Sequence, residues 1–68
     1  MSDPVFKKVE LVGTSKKSLS DAVENAIKKA SESVRNMSWF EVVEQRGSID
    51  KGKVSQYQVT LRAGFRVD

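Results

Sequence analysis

The sequence contains no cysteine and no histidine among its 68 residues, and these two absences exclude several classes of protein. Without cysteine, disulfides and thiolate metal sites are excluded, and without histidine the usual ligand of zinc and copper is missing. Nucleophilic and acid–base catalysis at neutral pH also depend mostly on these two residue types. We therefore expect neither a metal site nor an enzyme.

The carboxylates and glycines supply no catalytic or nucleotide-binding motif instead. The acidic residues that are near enough to pair show no recognised catalytic spacing, and so small a chain offers little interior in which a carboxyl pKa is shifted. These residues are Glu41 with Glu44 and Asp50 with Asp68. The four glycines stand alone, so phosphate-loop and dinucleotide-binding fingerprints are absent.

Long apolar runs are missing as well. None approaches the roughly 20 residues that a membrane span needs, and the opening Met1-Ser2-Asp3-Pro4 has no signal-peptide character. We therefore expect a cytoplasmic protein without a membrane partner. No repeat, linker or low-complexity stretch divides the chain, so we expect a single domain over residues 1–68.

The small size of the chain sets a requirement on its stability. A domain of this length buries only about 60% of the surface that its unfolded chain exposes, so a lone monomer is marginal. Disulfides and metals are excluded as stabilising elements, which leaves oligomerisation or a bound ligand.

The net charge of +3 raises nucleic acid as a candidate partner. The basic residues are scattered, however, and acidic residues lie between them. Glu24 precedes Lys28 by four positions, an arrangement typical of an exposed helix face. We therefore expect no nucleic-acid partner, and a basic nucleic-acid binder is kept as a lesser alternative.

The first half of the chain predicts a strand and a helix. Val5 to Val12 has the pattern of a strand, which Gly13-Thr14-Ser15 is expected to end. From Leu19 to Met37 apolar residues recur three and four positions apart, and this predicts an amphipathic helix of about five turns. Ser18 is placed to cap the first turn, and Asp21 is placed to answer it as in a capping box.

The second half predicts a long hairpin. Trp39 to Ile49 forms a strand in which Gly47 marks a bulge, Asp50-Lys51-Gly52 forms a compact turn, and Val54 to Val67 alternates as a third strand. We therefore expect an α+β fold of order β-α-β-β, with a three-stranded antiparallel sheet of strand order 1-3-2 packed on one amphipathic helix. One helix cannot cover two long strands, so part of the sheet is expected to meet other copies of the chain.

Trp39 is the single tryptophan, and two roles are open for it. Composition alone favours a ring that fills the core. Phe40, however, has the parity of Val42 and takes the inward position, which directs Trp39 to the opposite face of the sheet. A large exposed aromatic ring there needs a partner, either another chain or a planar ligand.

Four polar residues are candidates to surround such a ligand. The amide of Gln58 offers a donor and an acceptor side by side, which suits the edge of a pyrimidine-like ring, and we expect it near Trp39 across the hairpin. Arg46 is able to hold a phosphate through its planar guanidinium, with Glu44 and Gln45 beside it as a polar rim. Ordinary solvated side chains remain the alternative for each.

Taken together, five short segments of the chain resemble the dodecin family. No single segment is diagnostic, but their joint order at this length is specific, and the resemblance spans essentially the whole chain. The segments are Val9-Glu10-Leu11-Val12-Gly13-Thr14-Ser15, Trp39-Phe40-Glu41-Val42, Gln45-Arg46-Gly47, Tyr57-Gln58-Val59 and Gly64-Phe65-Arg66.

The resemblance implies that twelve identical subunits assemble into a hollow dodecamer (a homododecamer) of cubic symmetry. It also implies that flavins are held in pairs where subunits meet. It implies that Trp39 stacks on the flavin ring and that Gln58 binds the polar edge of that ring. Arg46 matches the bacterial-type members, which implies FMN as the flavin, with riboflavin or FAD as alternatives and coenzyme A as a further ligand. Glu44 stands where archaeal members carry aspartate.

The resemblance also implies a function without turnover, namely flavin storage and photoprotection, because a stacked tryptophan quenches the excited ring by electron transfer. The alternative is a structural protein-interaction module without a small-molecule ligand. Trp39→Ala separates the two, since a flavin-binding role predicts a loss of binding that far exceeds any loss of assembly.

Overall fold

The computed structural model describes residues 3–68, so Met1 and Ser2 of the opening segment lie outside the described residues. The chain forms four elements: β1 (Val5–Ser15), α1 (Leu19–Ala30), β2 (Met37–Asp50) and β3 (Lys53–Val67). The three strands form one antiparallel sheet of order β1-β3-β2. These observations confirm the predicted β-α-β-β fold class and the predicted strand order.

Strand β1 continues through the segment that was expected to end it. The ladder with β3 runs on from Gly13 opposite Val59 to Ser15 opposite Tyr57, so the predicted break at Gly13-Thr14-Ser15 is wrong. Gly13 serves close packing instead, because a Cβ at this position would overlap the backbone carbonyl of Ala22 in α1. The glycine therefore lets the helix approach the strand.

The start of α1 is capped as the sequence predicts, with one difference in its partners. The Ser18 hydroxyl accepts a hydrogen bond from the backbone N–H of Asp21 at 3.0 Å. The Asp21 carboxylate does not return to Ser18; it accepts a hydrogen bond of 2.6 Å from the hydroxyl of Ser15. Ser15 in turn accepts hydrogen bonds from the N–H groups of Lys17 and Ser18, so this buried hydroxyl completes the cap.

Helix α1 ends at Ala30 rather than at Met37, so the predicted length of five turns is wrong. The Ser31 hydroxyl donates to the carbonyl of Lys28 at 2.7 Å, and the N–H groups of the next residues close tight turns onto the last carbonyls. Asn36 then adopts a left-handed backbone with φ of 64°, which ends any helical path, and Met37 begins β2.

The β2–β3 hairpin has the predicted turn but a different pattern of bulges. Lys51 and Gly52 both have positive φ values, 51° and 77°, as a two-residue turn of the right twist requires. Gly47 pairs in register with Tyr57, so the bulge expected at Gly47 is wrong. Register shifts occur between Met37 and Trp39, between Val42 and Glu44, and between Ser48 and Ile49.

The core lies between α1 and the β1–β3 half of the sheet. Leu61 and Val59 of β3 are almost fully buried against Ala22 and Ala26, whose small side chains let the helix lie close to the sheet. Helix α1 packs on β1 and β3 and leaves β2 largely uncovered. Phe40 on the helix side of β2 therefore remains 50% exposed, in agreement with the expectation that one helix cannot cover the sheet. None of the helices in residues 3–68 is long and apolar enough to cross a membrane.

Candidate functional site

The face of the sheet opposite α1, here called the outer face, carries most of the candidate residues. Residues paired across an antiparallel sheet share a face, and side chains alternate along each strand. From Gln58 to Gly64 the even-numbered residues of β3 therefore lie on the outer face, and each is flanked by one residue of β1 and one of β2. Two such rows are Lys8–Gly64–Trp39 and Thr14–Gln58–Arg46.

Trp39 lies on this outer face, as its parity predicts. Its partner in the ladder is Gly64, and a Cβ on Gly64 would overlap Cε2 and Cζ2 of the indole. The ring therefore rests with one side against the backbone of β3, a position that only glycine permits. Trp39 remains 40% exposed, so a large aromatic surface is offered on the outer face.

Two ion pairs lie on the outer face near the indole. Lys8 donates hydrogen bonds to both carboxylate oxygens of Glu41, at 2.9 and 3.3 Å, and its Nζ lies over the Trp39 ring at 5.5 Å from the centroid. Arg62 forms a parallel pair with Glu10 at 3.0 Å. The hydrogen bond from Lys8 holds the pKa of Glu41 below its usual value; desolvation opposes this shift, and the charges of Lys8 and Arg62 add to it.

A bulge at Val43 decides which polar residues of β2 share the face of Trp39. Before the bulge the odd-numbered residues point outward, and after it the even-numbered ones do, since Glu44 pairs with Thr60 and Arg46 with Gln58. Glu44 and Arg46 thus lie on the outer face, where their side chains approach to 3.5 Å.

Gln45 lies on the other face, because it pairs with Val59 of the core. It lines an open cavity of about 360 Å³ at the end of the sheet, and the other lining residues are Leu19, Arg46, Gly47, Val54 and Tyr57. Within one chain Gln45 therefore does not form a rim with Glu44, although the sequence placed the two side by side.

Gln58 shares the outer face with Trp39 but does not lie near it in the same chain. Gln58 pairs with Arg46, whereas Trp39 pairs with Gly64, six residues further along β3. At about 3.3 Å per residue, this spacing separates the two rows by roughly 20 Å. The expected proximity of Gln58 and Trp39 across the hairpin is therefore wrong, and a ligand that contacts both needs two copies of the chain.

Lys8, Glu41 and Gly64 surround Trp39 in the structure, and none of them was predicted to be part of its site. The position of Lys8 could have been predicted from two features. The alternation of β1 puts Lys8 on the face opposite to that of Val9 and Leu11, and the strand order brings β1 beside β3. Within residues 3–68 no group of three or more acidic side chains is arranged to hold a metal ion.

The sequence of this chain is similar to the sequences of one known protein family. Residues 5–68 match the sequence model of the family described as Dodecin. The dodecin of Thermus thermophilus is 48% identical over 64 residues, which make up 94% of this chain and 93% of that protein.

Solved structures similar to this chain extend over nearly all of it. A dodecin from Streptomyces coelicolor has a TM-score of 0.93 at 43% identity and covers 100% of this chain and 97% of its own. Three variants of the Thermus thermophilus dodecin, with one tryptophan or one of two arginines replaced, each have a TM-score of 0.92 at 45% identity. They cover 97% of this chain and 97–98% of their own.

Proposed function

This chain belongs to the dodecin family, and from that premise we propose that it is a non-catalytic protein that stores and shields a flavin where identical subunits meet. The observation that carries the proposal is the position of Trp39. Its indole is seated on Gly64, exposed, and located on a sheet face that no helix of the same chain covers. A planar isoalloxazine ring is a fitting partner for such a surface, because offset stacking favours two flat aromatic systems.

The distance between Trp39 and Gln58 supports a ligand shared between subunits. If a flavin stacks on Trp39 of one chain, the amide that binds its pyrimidine edge comes from Gln58 of another chain. This arrangement agrees with the dodecameric shell of the family. It also agrees with the uncovered helix side of β2, where Phe40 and Val42 are about half exposed and suit burial against another copy.

Arg46 favours FMN over riboflavin. Its guanidinium lies on the outer face and is 63% exposed, and among the described residues its one side-chain partner is Glu44 at 3.5 Å, so it is available for a phosphate. FAD and coenzyme A, which also carry phosphates, remain further candidate ligands. Gln45, which pairs with Val59 and lies on the face of the sheet opposite to Trp39, is a weaker candidate for flavin contact than Arg46.

The Thermus thermophilus variants support the same set of residues. The replaced tryptophan and the two replaced arginines of that protein have the same spacing along the chain as Trp39, Arg46 and Arg66 have here. We therefore add Arg66, which lies on the outer face beside Phe6, to the proposed site.

The role that we propose for this single-domain protein is to store a flavin in the cytoplasm and to protect that flavin from light. A stacked indole gives an electron to the light-excited ring and takes it back, so the ring returns to its ground state without net chemistry. Among the described side chains near Trp39, none is a histidine or cysteine, and Lys8 and Glu41 form an ion pair with each other.

The test is the loss of binding without the loss of assembly. We expect Trp39→Ala to weaken FMN binding strongly in equilibrium dialysis while sedimentation gives the particle size of the unchanged protein. Ile49→Ala, an exposed apolar position near the hairpin turn, is the matched control and should bind normally. Normal binding by Trp39→Ala would refute the proposed site, and disassembly would assign Trp39 a structural role.

A further inference from the structure

The contact between Lys8 and Trp39 places a fixed positive charge beside the indole. Lys8 and Trp39 flank Gly64 in one row of the sheet, and Lys8 Nζ lies over the ring at 5.5 Å from its centroid. The two hydrogen bonds to Glu41 keep the ammonium group there. A cation in this position interacts with the π electrons of the ring.

Glu41 is set by the same strand as the indole. It follows Trp39 by two residues on the same face and pairs across the ladder with Arg62, which is itself bound to Glu10. Two ion pairs therefore lie side by side on the outer face, and the charge of Arg62 also stabilises the carboxylate of Glu41. The depressed pKa of Glu41 is consistent with a carboxylate that remains charged at neutral pH.

We propose that the Lys8–Glu41 ion pair sets how readily Trp39 gives an electron to a light-excited flavin, and thereby how fast the bound flavin is quenched. This inference rests on the proposed flavin site. In the quenching cycle one electron leaves the indole, which gains one positive charge, and enters the excited ring. The same electron then returns, so neither partner is consumed and no further reactant is needed.

The physical basis is the Coulomb interaction of Lys8 with the charges that the transfer creates, a positive one on the indole and a negative one on the flavin ring, and the indole is the group that Lys8 contacts in the structure. Lys8 opposes the positive charge on the indole and makes the electron harder to remove, whereas Glu41 favours that charge and offsets part of the effect of Lys8. Lys8 lies over the ring, so its contribution is the larger one. The pair thus behaves as a partly compensated positive charge beside the electron donor.

Loss of the charge of Lys8 and loss of the charge of Glu41 are expected to change the quenching rate in opposite directions. Lys8→Met removes the opposing charge, so quenching should become faster by roughly two- to threefold for a charge at this distance near water. Glu41→Gln leaves Lys8 uncompensated, and because glutamine still accepts a hydrogen bond from Lys8, quenching should become slower. Lys8→Arg retains the charge and should restore the original rate.

A purely structural role predicts a different pattern. Both Lys8→Met and Glu41→Gln remove the same ion pair, so if the pair only held the indole in place, the two variants would change the rate in the same direction. Lys7→Met is the matched control for net charge, because Lys7 is adjacent in β1 but belongs to the other face of the sheet, opposite Phe65.

The test has two readouts, which separate this inference from the flavin proposal. The first is the fluorescence lifetime of FMN bound at saturation to the assembled protein and to each variant. The second is the one-electron oxidation potential of Trp39 in the ligand-free proteins, measured by pulse radiolysis. The expected result is a shorter lifetime and a lower potential for Lys8→Met, and a longer lifetime and a higher potential for Glu41→Gln.

Equal potentials in the two variants, or shifts of the same sign, would overturn the inference even if FMN binds normally. Failure of the unchanged protein to bind or quench FMN would instead overturn the flavin proposal. The oxidation potentials of the ligand-free proteins would still decide whether the ion pair controls the indole.

Discussion

The indole of Trp39 lies over the backbone of Gly64, its partner in the β2–β3 ladder, in space that a Cβ would occupy. This relationship explains how a tryptophan on a strand presents a broad aromatic surface instead of standing away from the sheet. It also makes the site sensitive to the smallest change of side chain.

Gly64→Ala is predicted to displace the indole and weaken flavin binding. Overpacking of this kind costs about 1–3 kcal/mol, and if the bound state carries that cost, FMN affinity falls by roughly 5- to 150-fold. Thr60→Ala, on the same face of β3 and removed from the ring, is the control. Affinities measured by fluorescence anisotropy should separate the two, and equal affinities would show that the seating on Gly64 does not matter.

Arg46→Ala is predicted to reduce the preference for FMN over riboflavin. A hydrogen bond to a charged group contributes about 1.5–3 kcal/mol, which is roughly ten- to a hundredfold in affinity. Loss of Arg46 also leaves Glu44 without its contact at 3.5 Å, and the carboxylate then repels a phosphate. Calorimetric titrations with both ligands check this, with Lys53→Ala as the charge-matched control. A parallel loss for both ligands would argue against a phosphate contact.

Ser18→Ala is predicted to destabilise the subunit through the start of α1. The Ser18 hydroxyl accepts the N–H of Asp21, and loss of such a cap costs about 1 kcal/mol. Ser20 is the control, because the only hydrogen bond of its hydroxyl among the described residues is with Ser18. In denaturant unfolding, the free energy of unfolding of Ser18→Ala should be lower than that of Ser20→Ala. The reverse order would show that Ser18 does not cap the helix.

Acid is predicted to remove the contribution of the Lys8–Glu41 pair. The folded pKa of Glu41 lies below its usual value of 4.5, so the carboxylate binds its proton less readily in the folded state. Its contribution to stability is complete above pH 4.5 and is lost as the pH falls through the lower folded pKa. Glu41→Gln should therefore show a smaller loss of stability over that range. Identical acid unfolding curves for the two proteins would mean that the ion pair contributes nothing.

Much of the fold was predictable because its signals are local. Alternation along β3 gave the two faces of the sheet, and the parity of Phe40 and Val42 placed Trp39 on the outer face. The turn at Lys51 and Gly52 was predictable because Asp50 and Gly52 are turn-forming residues and glycine adopts a positive φ without steric cost. Each of these signals lies within a few residues of the feature that it predicts.

The errors arose where a tertiary contact decided the outcome. Gly13 looked like a strand end because its role, contact with the carbonyl of Ala22, lies across the fold. The apolar spacing continued past Ala30, whereas the end of the helix was decided by hydrogen bonds of Ser31 and by the backbone of Asn36.

The site could be predicted only in part, for a similar reason. The bulge at Val43 has no clear marker in the sequence, yet it reverses which residues share the face of Trp39 and so puts Arg46, rather than Gln45, on that face. The distance between Trp39 and Gln58 depends on the register of the hairpin, and register is not visible in residue types alone.

The most direct test of the proposed flavin site at Trp39 is a titration of the purified, ligand-stripped protein with FMN, followed by flavin fluorescence. We expect strong quenching with a stoichiometric end point, because each bound ring stacks on an indole. Unchanged fluorescence, with all the flavin recovered free after filtration, would contradict it and would leave the exposed Trp39 as a contact between protein chains.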